Sequence, residues 1–157
     1  MNRKKPWLEN YPECASEELV FDPRGTLVKL LDEADTNYSS SEAFVNFGVS
    51  MKYEQVAKDS KSFAAYLQNV LGLRKGDRIA MMMPNLLQYP VAIFGALRAG
   101  LIVVNVNPLY TPRELEHQLR DSGAKTIVIF ENSAHVLQPV LDNVAIEHVI
   151  ITKIGDY

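Results

Sequence analysis

The spacing of apolar residues first predicts a helix near the start of the chain. From residue 27, leucine and alanine recur three and four positions apart, which gives a helix one apolar face. We expect this helix to end near Asn37, before the polar residues 39–41. Residues 1–25 contain several prolines and charges without any period, so they are predicted to form an extended lead.

A β-hairpin and a long helix are predicted next. Residues 43–47 and 50–53 are short extended runs, and Gly48 between them is typical of a tight turn. Residues 54–71 carry an apolar stripe at helical spacing with polar residues opposite, which predicts an amphipathic helix. Gly72 follows at the place where such helices usually end.

Beyond the long helix, short apolar runs alternate with helical segments. The runs are nearly continuous, as in the buried strands of parallel sheets, and lie at residues 78–82, 101–106, 126–130 and 149–152. The helices predicted between them cover residues 86–99, 111–122 and 134–141. This alternation indicates βαβ units. The predicted fold class is therefore α/β, a Rossmann-like and mostly parallel sheet with flanking helices, preceded by the first helix and the hairpin.

Prolines mark the starts of two of these helices. Pro90 either begins the main helix, with residues 86–89 as a preceding turn, or kinks it. Thr111 is a suitable cap, Pro112 suits the first helical position, and Glu114 completes a capping box. The helix at 111–122 therefore has a well-defined start.

Composition and charge exclude several classes of protein. Of the 157 residues, 47% are hydrophobic and 22% charged, as is usual for soluble domains. A net charge of −3 gives no general attraction to nucleic acid, so no nucleic-acid partner is predicted. Cys14 is the single cysteine, which leaves no internal disulfide. No run reaches the roughly 20 apolar residues of a membrane span, and no secretory leader is recognisable, so a cytoplasmic location is expected.

The common nucleotide and metal motifs do not occur in the sequence. Neither glycine-rich phosphate motif follows a strand, and the loop after the first parallel strand is Pro84-Asn85. The three histidines lie on separate elements without the spacing of a zinc helix. Residues 32, 33 and 35 are acidic but are predicted on the outer face of the first helix. We therefore assign no catalytic residue and no metal ligand.

Polar residues gather where the predicted strands end. In a parallel sheet, ligands bind beyond the carboxyl ends of the strands, and five polar residues fall there: Asn85, Asn105, Asn107, Tyr110 and Thr111. A second reading gives them structural roles, because Asn-Pro forms turns and threonine caps helices. Both readings stay open at this point.

Longer stretches of the sequence resemble the adenylate-forming enzymes, which include acyl-CoA synthetases, luciferases and peptide-synthetase adenylation domains. The pattern G-D-R-I-A, M-P-N, G-A-L-R-A-G and V-N-P-L-Y-T-P-R-E-L-E-H-Q-L is most similar to long-chain fatty acyl-CoA synthetases of Gram-negative bacteria. The segments Met51-Lys52-Tyr53-Glu54-Gln55-Val56 and Pro6-Trp7-Leu8 also resemble this group. The resemblance implies that fatty acid reacts with ATP to give an acyl-adenylate, from which coenzyme A displaces AMP, with Mg²⁺ on the phosphates.

The resemblance covers the first part of such an enzyme's large N-terminal domain. Residues 26–157 would form the first α/β portion of that domain and would not complete it. The family's T-[SG]-G-[ST]-T-G phosphate loop would come after Tyr157. These residues alone are therefore expected to be inactive and to bind none of ATP, Mg²⁺ or coenzyme A. The alternatives are a self-standing, non-catalytic Rossmann-like binding module and a relative that adenylates another acyl or aryl acid.

A coenzyme A contact is implied only weakly. In some relatives a basic residue in the loop after the Asn-Pro pair meets the phosphates of coenzyme A. Here Leu109 follows that pair, and the nearest basic residue is Arg113 in the next helix. The candidate contacts at this cleft edge are therefore Asn107, Tyr110, Thr111 and Arg113.

Two kinds of assembly stay open. A basic run, Arg3-Lys4-Lys5, stands beside Trp7 and suits a peripheral contact with the inner face of the cytoplasmic membrane. Four nearby acidic residues oppose that contact, namely Glu9, Glu13, Glu17 and Glu18. A homodimer is the second open assembly.

Overall fold

Within residues 5–15 and 25–157, which the computed structural model describes, the chain forms five α-helices and six β-strands. The helices are α1 (Leu27–Tyr38), α2 (Tyr53–Asn69), α3 (Gln88–Arg98), α4 (Pro112–Ser122) and α5 (Ala134–Leu137). The strands are β1 (Glu42–Asn46), β2 (Val49–Lys52), β3 (Arg78–Met82), β4 (Ile102–Asn105), β5 (Thr126–Phe130) and β6 (His148–Thr152). The predicted order of elements is confirmed.

The predicted lead and the last predicted helix differ in part from the structure. Pro6–Asn10 forms a 3-10 helix instead of extended chain, because Pro6 fixes φ at the first helical position. The parts of the lead at residues 1–4 and 16–24 lie outside the described residues. After α5, Gln138–Asn143 continues as a 3-10 helix, since Pro139 has no N–H to donate to an α-helical bond.

Strands β3 to β6 form one parallel sheet in the order β4-β3-β5-β6. This confirms the α/β class and the parallel sheet. Strand β5 is buried along its whole length, whereas Ile102 on β4 and Ile151 on β6 are exposed at the two edges. The strand predicted at residues 101–106 is confirmed at Ile102–Asn105, but the prediction that it is buried is wrong, because an apolar run does not reveal where a strand lies in the sheet.

Helices cover both faces of this sheet. Alternate residues of β3 point to opposite faces, so Ile79 and Met81 pack with α2 and α3, while Ala80 and Met82 pack with α4 and α5. Each of these four side chains is at most 1% exposed. The methionines therefore fill the core, as their position at the end of an apolar strand predicts.

A second, antiparallel sheet is the hairpin β1–β2, which packs with α1 against α3. Its core contains Leu31, Met51, Val56, Leu87 and Val91. Helix α3 thus has the main sheet on one side and the hairpin core on the other. Its first turn accommodates the third helical residue, Pro90, because the N–H groups at that end have no partner within the helix.

Arg98 joins the three helices α1, α2 and α3. Its Nε donates to Ser60 Oγ at 3.0 Å, and both of its terminal nitrogens donate to the carboxylate of Asp32, one at 3.3 Å. Asp32 keeps a partly solvated side chain, 46% exposed, but the prediction missed that it also pairs with Arg98. Helix α3 approaches α2 closely beside this contact, at Gly95.

The helices of the described residues include none with the length and apolar character needed to cross a membrane.

Candidate functional site

The carboxyl ends of β3, β4 and β5 meet at one edge of the sheet because these strands are parallel. A cavity of about 570 Å³ lies at this edge. Prolines and apolar side chains line most of it, including Pro84, Pro108, Tyr110, Phe130 and Val136. The edge therefore offers an apolar recess beside the polar residues that the sequence places here.

Asn107 shapes the loop after β4. Its side-chain Oδ1 accepts the N–H of Leu109 at 3.0 Å, and its carbonyl accepts the N–H of Tyr110 at 3.2 Å. These bonds are typical of an Asx turn. The structural reading of Asn107 therefore has direct support, and its side-chain oxygen already has a donor.

Thr111 caps α4, and the predicted capping box is confirmed. The N–H of Glu114 donates to Thr111 Oγ1 at 3.4 Å, while the N–H of Thr111 donates to Glu114 Oε2 at 2.8 Å. Hydrogen bonds from the backbone and then the hydroxyl of Thr111 lower the pKa of Glu114. The threonine hydroxyl is thus used to start the helix.

Asn105 and Asn85 connect neighbouring elements at the same edge. The Tyr89 hydroxyl donates to Asn105 Oδ1 at 2.7 Å, and the Asn105 carbonyl accepts from Gln118 Nε2 at 2.9 Å. The Asn85 carbonyl accepts from Asn46 Nδ2, on the hairpin, at 2.9 Å. These bonds fix the loops that follow β3 and β4.

Arg113 is the candidate residue with the clearest capacity to bind a ligand. It lines a groove of about 700 Å³ along α4, together with Tyr110, Thr111, His117 and Asp121. Its side chain is exposed and has no hydrogen-bond or ion-pair partner within residues 5–15 and 25–157. A free guanidinium of this kind can bind an anion such as a phosphate.

The structure brings three of the four candidates to one groove: Tyr110, Thr111 and Arg113. Asn107 is not among the residues that line it. Their binding roles stay predictions.

Two further residues at this edge were not among the candidates from the sequence, which treated His135 as a surface histidine. Ser133 donates from Oγ to the carbonyl of Pro108 at 3.3 Å, and His135 Nδ1 lies 2.8 Å from the carbonyl of Asn132. Both line the 570 Å³ cavity. Their position directly after the carboxyl end of β5 is the signal that could have identified them.

The arrangement contains no assembled catalytic group among these edge residues, since no nucleophile is hydrogen-bonded to a base there. The described part of the chain also has no group of three or more histidine, cysteine or acidic side chains placed to hold a metal ion. What the edge presents, within the described residues, is a set of hydrogen-bonded loops, an apolar recess and the unpaired guanidinium of Arg113.

Comparison with known proteins shows which family the chain matches. Residues 31–156 match the AMP-binding enzyme family. The chain is 57% identical over 153 residues to a long-chain-fatty-acid–CoA ligase of Salmonella typhimurium, covering 98% of this chain and 27% of that protein. It is 35% identical to the ligase of that name from Bacillus subtilis, covering 100% of this chain and 28% of that one.

Comparison with solved structures shows that the fold is also similar to that of a ligase with this name. A long-chain-fatty-acid-CoA ligase from Archaeoglobus fulgidus superposes with a TM-score of 0.77 at 27% identity, over 85% of this chain and 28% of that one. The chain thus spans about a quarter of the length of the curated relatives it matches.

Proposed function

Since the chain belongs to the AMP-binding enzyme family, we propose that the protein containing it is a long-chain fatty acid–CoA ligase. In the proposed reaction, the fatty acid carboxylate attacks the α-phosphorus of ATP and releases pyrophosphate. The coenzyme A thiol then attacks the acyl carbon and releases AMP, with Mg²⁺ offsetting phosphate charge. The observation that carries this proposal is 57% identity across almost the whole chain to a ligase with this name.

The residues of this chain act as scaffold in that reaction. The buried strands β3 and β5 hold the loops at the carboxyl edge, and the bonds of Asn105 and Asn107 fix the shape of those loops. We assign no ATP ligand here, because the loop after β3 is Pro84-Asn85 and has no glycine to cradle phosphates.

Arg113 fits coenzyme A better than any other candidate. Its exposed guanidinium, which has no partner among the described residues, lies beside an open groove and suits a phosphate of that molecule. Tyr110 and Thr111 line the same groove and would complete its wall. The role of these residues is to bind and orient the cofactor, not to transfer groups.

A pair of arginine substitutions on α4 tests this contact in the product of the complete gene. Arg113→Met is expected to raise KM for coenzyme A while kcat stays unchanged, since it removes binding only. Arg120→Met is the matched control, because Arg120 is paired with Glu116 at 3.1 Å on the same helix. Equal KM values for the two variants would contradict a phosphate contact at Arg113.

The function as a whole is tested by calorimetry and turnover. The product of the complete gene is expected to convert oleate, ATP and coenzyme A to oleoyl-CoA, AMP and pyrophosphate. The 157-residue chain alone is expected to show no heat of ATP binding. Micromolar ATP binding by the isolated chain would overturn the assignment of the phosphate site to other residues.

The proposed location is the cytoplasm, with peripheral contact to the inner face of the membrane, which carries the fatty acid substrate. Lys5 of the basic run and the neighbouring Trp7 fall within the described residues, and Trp7 is exposed. Residues 3 and 4 of that run lie outside them. A homodimer stays a prediction, which sedimentation of the complete protein would decide.

A further inference from the structure

Gln118 makes the one hydrogen bond that joins α4 to a strand of the parallel sheet within residues 5–15 and 25–157. Its Nε2 donates to the carbonyl of Asn105, the last residue of β4, at 2.9 Å. The other side-chain hydrogen bonds of α4 stay within the helix and its ends or reach Asn143. The helix is therefore tied to the carboxyl edge of the sheet at a single point.

Apolar packing alone does not fix how α4 is rotated or shifted along its axis. Leu115 and Leu119 bury the inner face of the helix, and each is at most 1% exposed. Such burial is non-directional, whereas a hydrogen bond constrains both distance and angle. The Gln118 bond therefore sets the register of α4 against the end of β4.

The acceptor residue of this bond is itself held from a second helix. The hydroxyl of Tyr89, on α3, donates to Asn105 Oδ1 at 2.7 Å. Asn105 thus receives one hydrogen bond on its side chain and one on its carbonyl. The end of β4 is a fixed point to which both α3 and α4 are tied.

The amide of Gln118 carries a cost that packing does not require. Its Oε1 is buried and has no hydrogen-bond donor among the described residues, and a buried acceptor without a donor is unfavourable. Methionine would fill similar space without that penalty, and water would reach the carbonyl of the exposed Asn105. Departures from the most stable side chain are expected at functional sites, which indicates a use for Gln118 beyond stability.

The helix that Gln118 holds also carries Arg113. Both side chains line the 700 Å³ groove along α4. Because the backbone bonds of a helix make it move as a unit, a rotation or shift of α4 would displace the guanidinium of Arg113. The bond to Asn105 opposes such a displacement.

We infer that Gln118 is a positioning residue, whose bond to Asn105 holds α4 in the register that presents Arg113 to a phosphate of coenzyme A. The inference rests on the proposed function, which supplies coenzyme A as the ligand of Arg113. Gln118 acts through Arg113 and transfers no group.

Steady-state kinetics with the product of the complete gene test this inference. Gln118→Met is expected to raise KM for coenzyme A about threefold, with kcat and the KM values for ATP and oleate unchanged. This is less than the roughly fivefold of one whole hydrogen bond, since the displaced Arg113 keeps part of its contact. Unchanged KM for coenzyme A would overturn the inference.

Two further variants make the comparison specific. Gln88→Met removes a similar bond elsewhere, from Gln88 Nε2 to the carbonyl of Lys153 at 2.7 Å, and should leave KM for coenzyme A unchanged. Tyr89→Phe loosens the same tie from α3 and should raise that KM by a smaller factor than Gln118→Met. A rise in Gln88→Met equal to that in Gln118→Met would overturn the inference.

A double-mutant cycle identifies the residue through which Gln118 acts. If the only route is Arg113, Gln118→Met has no further effect on KM for coenzyme A once Arg113→Met is present. Additive effects of the two substitutions would mean that Gln118 acts by another route. That result, or an Arg113→Met protein with wild-type KM for coenzyme A, would overturn the inference.

Thermal unfolding separates positioning from a merely structural role. The melting temperature of Gln118→Met is expected to equal or slightly exceed that of wild type, because the unpaired buried acceptor is gone. A lower melting temperature with equal rises in KM for coenzyme A, ATP and oleate would show general loosening of the fold. That pattern would overturn the inference.

Calorimetry of coenzyme A binding separates this inference from the proposed function. A complete protein without ligase activity, whose coenzyme A binding is weakened by Gln118→Met only when Arg113 is present, would refute the function alone. Normal oleoyl-CoA synthesis with coenzyme A binding that ignores Gln118 would refute the positioning role alone. A protein with neither turnover nor coenzyme A binding would refute both.

Discussion

Replacing Arg98 by methionine tests how helix α1 is held on the fold. The arginine side chain is 10% exposed and reaches from α3 to Asp32 on α1 and Ser60 on α2. Methionine keeps the apolar stem and much of the length but donates no hydrogen bond. Both acceptors therefore lose their partner while packing changes little.

The expected cost follows from the geometry. Three hydrogen bonds at a typical value of about 1 kcal/mol each would contribute about 3 kcal/mol. Asp32 is 46% exposed, so water replaces part of what the carboxylate loses, and the full penalty of a buried ion pair does not apply. We therefore expect the free energy that holds α1 closed to fall by about 2 kcal/mol.

Hydrogen exchange followed by mass spectrometry measures that quantity directly. Local opening of a helix controls exchange of its amides, so a loss of about 2 kcal/mol speeds exchange in α1 by about 30-fold. Arg120→Met is the matched control, since its exposed pair with Glu116 contributes less than about 0.5 kcal/mol. Exchange in the first helix is expected to be unchanged in that control.

The pH dependence of the Arg98 effect has a defined sign. The hydrogen bond from Arg98 lowers the pKa of Asp32 below its ordinary value of 3.8. A carboxylate with a lowered pKa stabilises the folded state above that ordinary value, and the contribution is lost as pH falls through the folded pKa. The difference between wild type and Arg98→Met in the free energy that holds α1 closed should be constant near neutral pH and smaller in acid. Asp32→Asn should remove this dependence.

Two results would refute this account of α1. One is an Arg98→Met protein in which exchange of the first helix matches the Arg120→Met control. The other is a difference in α1 exchange between wild type and Arg98→Met that stays the same in strong acid. That result would mean that packing of the arginine stem, not the carboxylate contact, holds the helix.

Two further substitutions test local packing and capping. Gly95→Ala places a Cβ 2.7 Å from the ring of Phe63, so it should lower the free energy of unfolding, measured in urea, by about 1–3 kcal/mol. The control is Gly155→Ala, whose Cβ meets nothing within 4 Å and should leave that free energy unchanged. Similar midpoints of urea unfolding for the Gly95→Ala and Gly155→Ala variants would contradict the close approach of α3 to α2. Thr111→Ala should cost about 1 kcal/mol and speed exchange in the first turn of α4, with Thr111→Ser largely restoring it. Because the pKa of Glu114 is lowered, the stability lost in Thr111→Ala should become smaller in acid. Unchanged exchange in the first turn of α4 at neutral pH would contradict the cap.

Local patterns predicted the elements of this fold well, because side-chain period and end signals are local. The capping box at Thr111 is fully written in four consecutive residues, and its bonds form as expected. The buried run at Thr126–Phe130 was likewise recognisable as a strand from its apolar residues alone.

The features that depend on distant contacts were less accessible. Strand order places β4 at an edge, and no local signal distinguishes its apolar run from that of β5. The pairing of Asp32 could not be predicted, because its partner, Arg98, is 66 residues away. The contact of Asn46 with Asn85 likewise depends on how the hairpin docks beside the sheet.

The candidate site illustrates the same division. Residues at the carboxyl edge could be placed from strand ends, but their hydrogen-bond partners could not. Asn107 could have been a ligand or a turn residue, and the bond to the N–H of Leu109 supports the turn. Arg113 stands out in the structure because its side chain has no partner in the part of the chain that the structure describes, which spacing alone does not reveal.

Helix α3 serves as a common wall between the two cores, and this limits how its sequence can change over evolution. Six of its 11 residues are buried, against the sheet on one side and the hairpin core on the other. A larger side chain at Gly95 would need a smaller partner at Phe63 on α2. Substitutions along this helix should therefore arise as compensating pairs with its neighbours, so that covariation between α2 and α3 records their contact.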